Sequence, residues 1–163
     1  MVGLKGALHP GLLDEKFWSE RLQEEAAVPL RMLVLPSGSS SEGMEAFELM
    51  VSGRDGERLH AVLVRRAQHD DPPAIGARRA LRLVPGHAEH HPIDLADCEA
   101  ELYFEPAPHK RLEERVLDTL RMLRAARRVE GVAGARALAA GHSELPPPDE
   151  FLIAECLLNR GWI

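Results

Sequence analysis

Cysteine is nearly absent: Cys98 and Cys156 are the only two in 163 residues. That excludes the multi-bridge framework that staples small secreted domains, and the expectation is two free thiols in a cytoplasmic protein. Aromatic residues make up 4% of the chain, so the core must be aliphatic, and the aromatic platforms that stack single-stranded bases are not available. Positive charge is also in deficit. The formal net charge is -6, which excludes nucleic acid as a general partner because that role needs a basic field. Lysine occurs only at Lys5, Lys16 and Lys110, so arginine carries nearly all the basic charge. No apolar run approaches the roughly 20 residues of a membrane span, and Met1 to Pro10 lacks the apolar stretch of a signal peptide. No glycine-rich loop is followed by Lys-Ser/Thr, and no dinucleotide fingerprint is present. No cofactor is therefore expected.

What is present suffices for a core, with 45% apolar and 28% charged residues. The length excludes a barrel of eight strand-helix units and suggests one domain over 1–163, with 146–163 as a C-terminal helical extension. Asp14 to Ala27 reads as a helix with a broad apolar side formed by Phe17, Trp18, Leu22 and Ala26. Leu30 to Leu35 is a short apolar run ended by Pro36. Ala46 to Val51 and Arg58 to Arg65 read as a hairpin around the Asp55-Gly56 turn signal. Arg79 to Val84 and Ala100 to Phe104 read as further strands. Lys110 to Arg128 is a helix with Leu112, Val116, Leu120 and Leu123 on one stripe and Arg115, Arg121, Arg124, Arg127 and Arg128 on its expected outer face. Ala135 to Ala140 fits a short helix or a strand. Asp149 to Asn159 is a final helix beyond three prolines. Strands grouped between helices give an α+β class, expected as an antiparallel four-strand meander with an irregular active-site segment after it.

That irregular segment runs from His87 to Cys98 and holds His87, His90, His91, Asp94, Asp97 and Cys98. The spacing matches no zinc pattern, so no metal is assigned.

The order of elements, with Pro72-Pro73 before the strand at Arg79, then His91-Pro92, Cys98, Phe104, Pro106 and Pro108, resembles the ubiquitin-conjugating enzymes and their non-catalytic RWD relatives. The resemblance implies a thioester on Cys98, supported by His91, Asp94 and Asp97. The partners would be a ubiquitin-like protein and its activating enzyme. Lys16 and Arg21 on the first helix, with Arg121 and Arg124 on the arginine-rich one, would form docking faces. The family motif is His-Pro-Asn, whereas Ile93 stands third here, so the oxyanion donor of that family is replaced. The alternative implied by the same fold is a protein-interaction domain without catalysis.

A second resemblance is carried by Gly141-His142-Ser143-Glu144-Leu145 and the helix and strand before it. This stretch is similar to the nucleophile elbow of α/β-hydrolases. Phe17-Trp18 and the Ser52 to Gly56 segment resemble the N-terminal part of acetyl-xylan-esterase-like members. The pattern Gly-x-Ser-x-Gly ends here on Leu145, three prolines follow in place of a helix, and no histidine follows His142. The family's Ser–acid–His order is therefore not completed after Ser143, and this resemblance implies a degenerate hydrolase-like protein with Ser143 at an incomplete elbow.

Overall fold

The computed structural model describes residues 14–36, 43–53, 56–66, 80–86, 100–129, 132, 135–141 and 145–160. In chain order these form α1 (Glu15–Ala26), β1 (Met32–Pro36), β2 (Met44–Ser52), β3 (Arg58–Arg66), β4 (Ala80–Pro85), β5 (Ala100–Phe104), α2 (Leu112–Ala126), β6 (Arg136–Ala139) and α3 (Asp149–Asn159). Asp14 starts α1 by accepting hydrogen bonds from the amides of Lys16 (3.0 Å) and Phe17 (3.3 Å), a cap worth about 1 kcal/mol.

The six strands form one sheet in the order β1-β2-β3-β5-β4-β6. β1, β2, β3 and β5 pair antiparallel. β4 pairs parallel with both β5 and β6. The α+β class holds and the expected hairpin of β2 and β3 forms, but the six strands make a mixed sheet and not a four-strand antiparallel meander. The strand at Ala80–Pro85 does not extend it. It sits two strands away from β3, between β5 and β6. Alternation identifies a strand and its buried face but carries no information about its neighbour. The segment that fitted either a helix or a strand is β6, the outermost strand on that side.

The three helices bury their apolar sides on one face of the sheet. Trp18 and Leu22 of α1, Val116, Leu120 and Leu123 of α2, and Phe151, Ile153 and Leu157 of α3 join Leu49, Leu63, Leu81, Leu83 and Leu102 in a single core. The other face carries a smaller cluster of Ala46, Val64, Val84 and Tyr103. α2 lies in the middle of the helical layer, and ten of its fifteen residues are buried.

That position corrects the outer basic face expected for α2. Arg121 is 1% exposed and pairs with Glu25, itself 2% exposed. Arg121 Nη1 also donates to the Ser52 carbonyl at 3.0 Å. Arg124 is half-buried, and burial, then the nearby Arg128 charge, holds its guanidinium below its usual pKa. Arg115 is tied to Glu150 of α3 at 3.4 Å. A helix with packed neighbours on several sides has no free polar face, so its charges are spent on internal pairs.

Candidate functional site

β4, β5 and β6 run the same way, so their C-terminal ends, at Pro85, Phe104 and Ala139, open on one edge of the sheet. β3 runs opposite, and its start at Arg58 lies on that edge too. The chain leaves β4 for β5 on one side, while β6 lies against β4 on the other. The C-terminal ends of β4 and β6 are therefore neighbours on this edge, with the next strand after β4 on the far side of it.

Two backbone features shape this edge. Gly86, directly after β4, has φ +99° and donates its amide to the Phe104 carbonyl at 3.3 Å. A positive φ is cheap only for glycine. On the other side Ala140 donates to Leu83 at 2.9 Å, carrying the ladder one residue past β6. Gly141 follows. A Cβ added there would lie 1.8 Å from the Leu145 carbonyl oxygen, so the two ends of the connection from β6 to α3 are pressed together. The side chain of Leu145 is 68% exposed. The approach is therefore between Gly141 Cα and the Leu145 backbone, and a large side chain at 145 does not obstruct it.

Beside Gly86 the edge carries a groove of about 280 Å³ lined by Glu57, His60, Tyr103, Glu105 and Lys110, among others. The Tyr103 hydroxyl donates to Glu101 Oε2 at 2.9 Å. Burial, then the Glu101 charge, pushes its pKa up, so it is a neutral donor and not a base. Lys110 Nζ donates to Asp118 Oδ2 at 2.7 Å and to Glu57 Oε1. Burial alone would lower the lysine, but the two carboxylates overcome it and raise its pKa. Lys110 is therefore held protonated and is no nucleophile. It pins the turn before β3, where Gly53 donates to the Glu57 carbonyl at 2.7 Å, onto α2.

Substituting Lys110 by methionine should lower stability by about 2 kcal/mol, the scale of a hydrogen bond to a charged group. The sign with pH is fixed by the raised pKa. The contribution is complete below the unfolded lysine value of about 10.5 and is lost as pH rises through the higher folded value. Urea titrations of both proteins should therefore converge above that pH and stay apart below it. A constant gap up to strongly alkaline pH would contradict this.

The thioester residues suggested by sequence, Cys98 with His91, Asp94 and Asp97, lie outside the described residues, as does Ser143. Of the docking residues, Lys16 is exposed. Arg21 is engaged with Glu113 and stacks over the Phe17 ring at 4.9 Å from its centroid. Arg121 and Arg124 do not join these two in a common surface, because the fold turns Arg121 inward. Among the described residues no group of three histidine, cysteine or acidic side chains could hold a metal ion, and no helix is long and apolar enough to cross a membrane. Sequence reasoning missed the Lys110–Glu57–Asp118 cluster, in which Glu57 lies 53 residues from Lys110 in the chain.

No protein family matches the chain, and no curated protein matches it. Solved structures do. One is acetyl xylan esterase 1 from a Thermoanaerobacterium species, at TM-score 0.60 and 14% identity, with 86% of this chain and 53% of that chain covered. Another is an acetyl xylan esterase from a Paenibacillus species, at TM-score 0.57 and 14% identity, covering 80% of this chain and 52% of that one. The likeness to these structures is one of fold. The chain spans about half the length of these solved structures. The conjugating-enzyme resemblance finds no counterpart among these neighbours, and the second resemblance is the one in line with them.

Proposed function

We propose that this chain carries the nucleophile of a serine acyl-transfer site, with Ser143, in the connection after β6, as the attacking residue. The observation that carries the reading is the contact between Gly141 and the Leu145 carbonyl, across which a Cβ would stand 1.8 Å away. Ser143 is midway between those two residues in sequence. An exposed nucleophile of this type sits on a tight turn after a strand; here the helix that follows starts only at Asp149, beyond Pro146-Pro147-Pro148.

In the proposed reaction Ser143 Oγ attacks an ester carbonyl carbon and its proton passes to an imidazole. The carbonyl oxygen becomes an oxyanion that backbone amides stabilise. The bond to the leaving alcohol then breaks, the imidazole returns the proton to it, and water hydrolyses the acyl-serine. His87, His90 and His91 follow Gly86, at the end of the strand next to β6, and they are the histidines we assign to this role. Acetyl esters are the first substrates to try, because the neighbours in fold are named as acetyl xylan esterases.

The test is labelling with a fluorophosphonate and turnover of p-nitrophenyl acetate, with the modified peptide identified by mass spectrometry. Ser143→Ala should abolish the label and lower turnover at least about a hundredfold. Combined replacement of His87, His90 and His91 by alanine should lower it about as much. Labelling that persists without Ser143 would overturn the reading. A thiol-sensitive adduct on Cys98 with a ubiquitin-like protein and its activating enzyme would instead support the thioester relay.

A further inference from the structure

β1, β2 and β3 make up the end of the sheet opposite β6. A groove of about 380 Å³ lies there, lined by Arg31, Leu33, Met50, Ser52, Glu57 and Arg58, among others. Directly opposite residues of an antiparallel ladder share a face, so the register sorts the lining into rows across the three strands. Leu33, Met50 and His60 form one row. Two residues back along the chain from Leu33, Arg31 stands opposite Ser52, and Ser52 stands opposite Arg58. These rows lie on the face away from the helices, because the alternate residues Met32, Val51 and Leu59 pack into the main core.

Arg31 and Arg58 are both exposed, and among the described residues neither is in an ion pair. They stand two strand spacings apart, about 10 Å, so each guanidinium needs to cover only one spacing to meet the other above Ser52. Ser52 is fixed between them. Its amide donates to the Arg31 carbonyl at 2.9 Å, its carbonyl accepts from Arg121 Nη1 at 3.0 Å, and its hydroxyl accepts from the Arg31 amide at 3.4 Å. A hydroxyl that accepts keeps its own proton to donate. Glu57, on the groove wall, is committed to Lys110. The neighbouring row is apolar towards the sheet edge, with Leu33 53% exposed and Met50 half-buried. The row after it pairs Leu35 with Glu48, whose charge repels an anion from that end.

We propose that this groove binds the carboxylate of a medium-chain fatty acid. The head group sits over Ser52, paired with Arg31 and Arg58 and accepting from the serine hydroxyl, and the chain lies over Met50 and Leu33 towards Leu35. Two guanidiniums give the charge-assisted, forked hydrogen bonds that suit a carboxylate. From Arg31 to Leu35 the strand rises about 13 Å, the extended length of about ten carbons. The inference does not use Ser143, which follows β6, the strand at the other end of the sheet.

The test is an NMR titration of the full chain with decanoate, decanol and acetate, all below micelle-forming concentrations. Decanoate should shift the Leu33, Met50 and Ser52 amides. It should bind at least about a hundredfold tighter than acetate, which lacks the chain, and at least about tenfold tighter than decanol, which lacks the charge. Arg31→Gln and Arg58→Gln should each weaken decanoate at least about tenfold and leave decanol unchanged. Both side chains are exposed, so both variants should keep the wild-type urea midpoint. Leu33→Ser should weaken decanoate and leave acetate unchanged. Decanol binding as tightly as decanoate, shifts confined to residues outside these rows, or unchanged decanoate affinity in both arginine variants would overturn the site.

Discussion

Replacing Arg121 by methionine should cost about 3–5 kcal/mol in chemical denaturation, the scale for removing one partner of a buried ion pair. The cost arises on the other side of the pair. Glu25 is 2% exposed, and with Arg121 gone its carboxylate would sit in the core without a counter-ion. The Ser52 carbonyl would also lose its donor. Among the described residues Glu25 Oε2 and Arg121 Nη2 are buried with no hydrogen-bond partner, so even the intact pair is imperfectly compensated. Replacing both residues together, Glu25→Leu with Arg121→Met, should therefore recover most of the loss, because two apolar chains of similar volume carry no desolvation penalty. A single variant as stable as wild type, or a double variant no better than the single one, would show that the pair is not what holds α1 to α2.

This pair also marks where the sequence stops being readable. The stripe Leu112, Val116, Leu120 and Leu123 locates the core side of α2, and Val116, Leu120 and Leu123 are fully buried. The same periodicity puts Arg121 on the polar side. Only the arrival of α1, with Glu25 on its inner face, makes that side interior. The β2–β3 hairpin was legible because turn and alternation agree: Asp55-Gly56 lies between the strands, and Leu59, Ala61 and Leu63 are buried while His60 is exposed. The position of β4 was not legible, since its alternation is equally consistent with any neighbour. β6 is four residues long, too short for period 2 and period 3.6 to be told apart.

The connection after β6 yields the second large effect. Gly141→Ala should destabilise the protein by about 3 kcal/mol, the upper part of the range for overpacking. The obstacle at 1.8 Å is a backbone carbonyl, which cannot swing away as a side-chain tip can. A Cβ normally contacts such an oxygen beyond about 3 Å, so the connection between β6 and α3 must open by more than an ångström. β6 is held by the ladder to β4, and α3 is fixed by Phe151, Ile153 and Leu157 in the core. The displacement must then fall on the residues between them, Ser143 included. The variant should therefore lose fluorophosphonate labelling even where it remains folded by circular dichroism, whereas Leu145→Gly should keep it, because the Leu145 side chain already points into solvent. A Gly141→Ala protein with wild-type stability and labelling would remove the tight turn, and with it the support for Ser143 as nucleophile. Loss of labelling in Leu145→Gly would show that the leucine itself shapes the site.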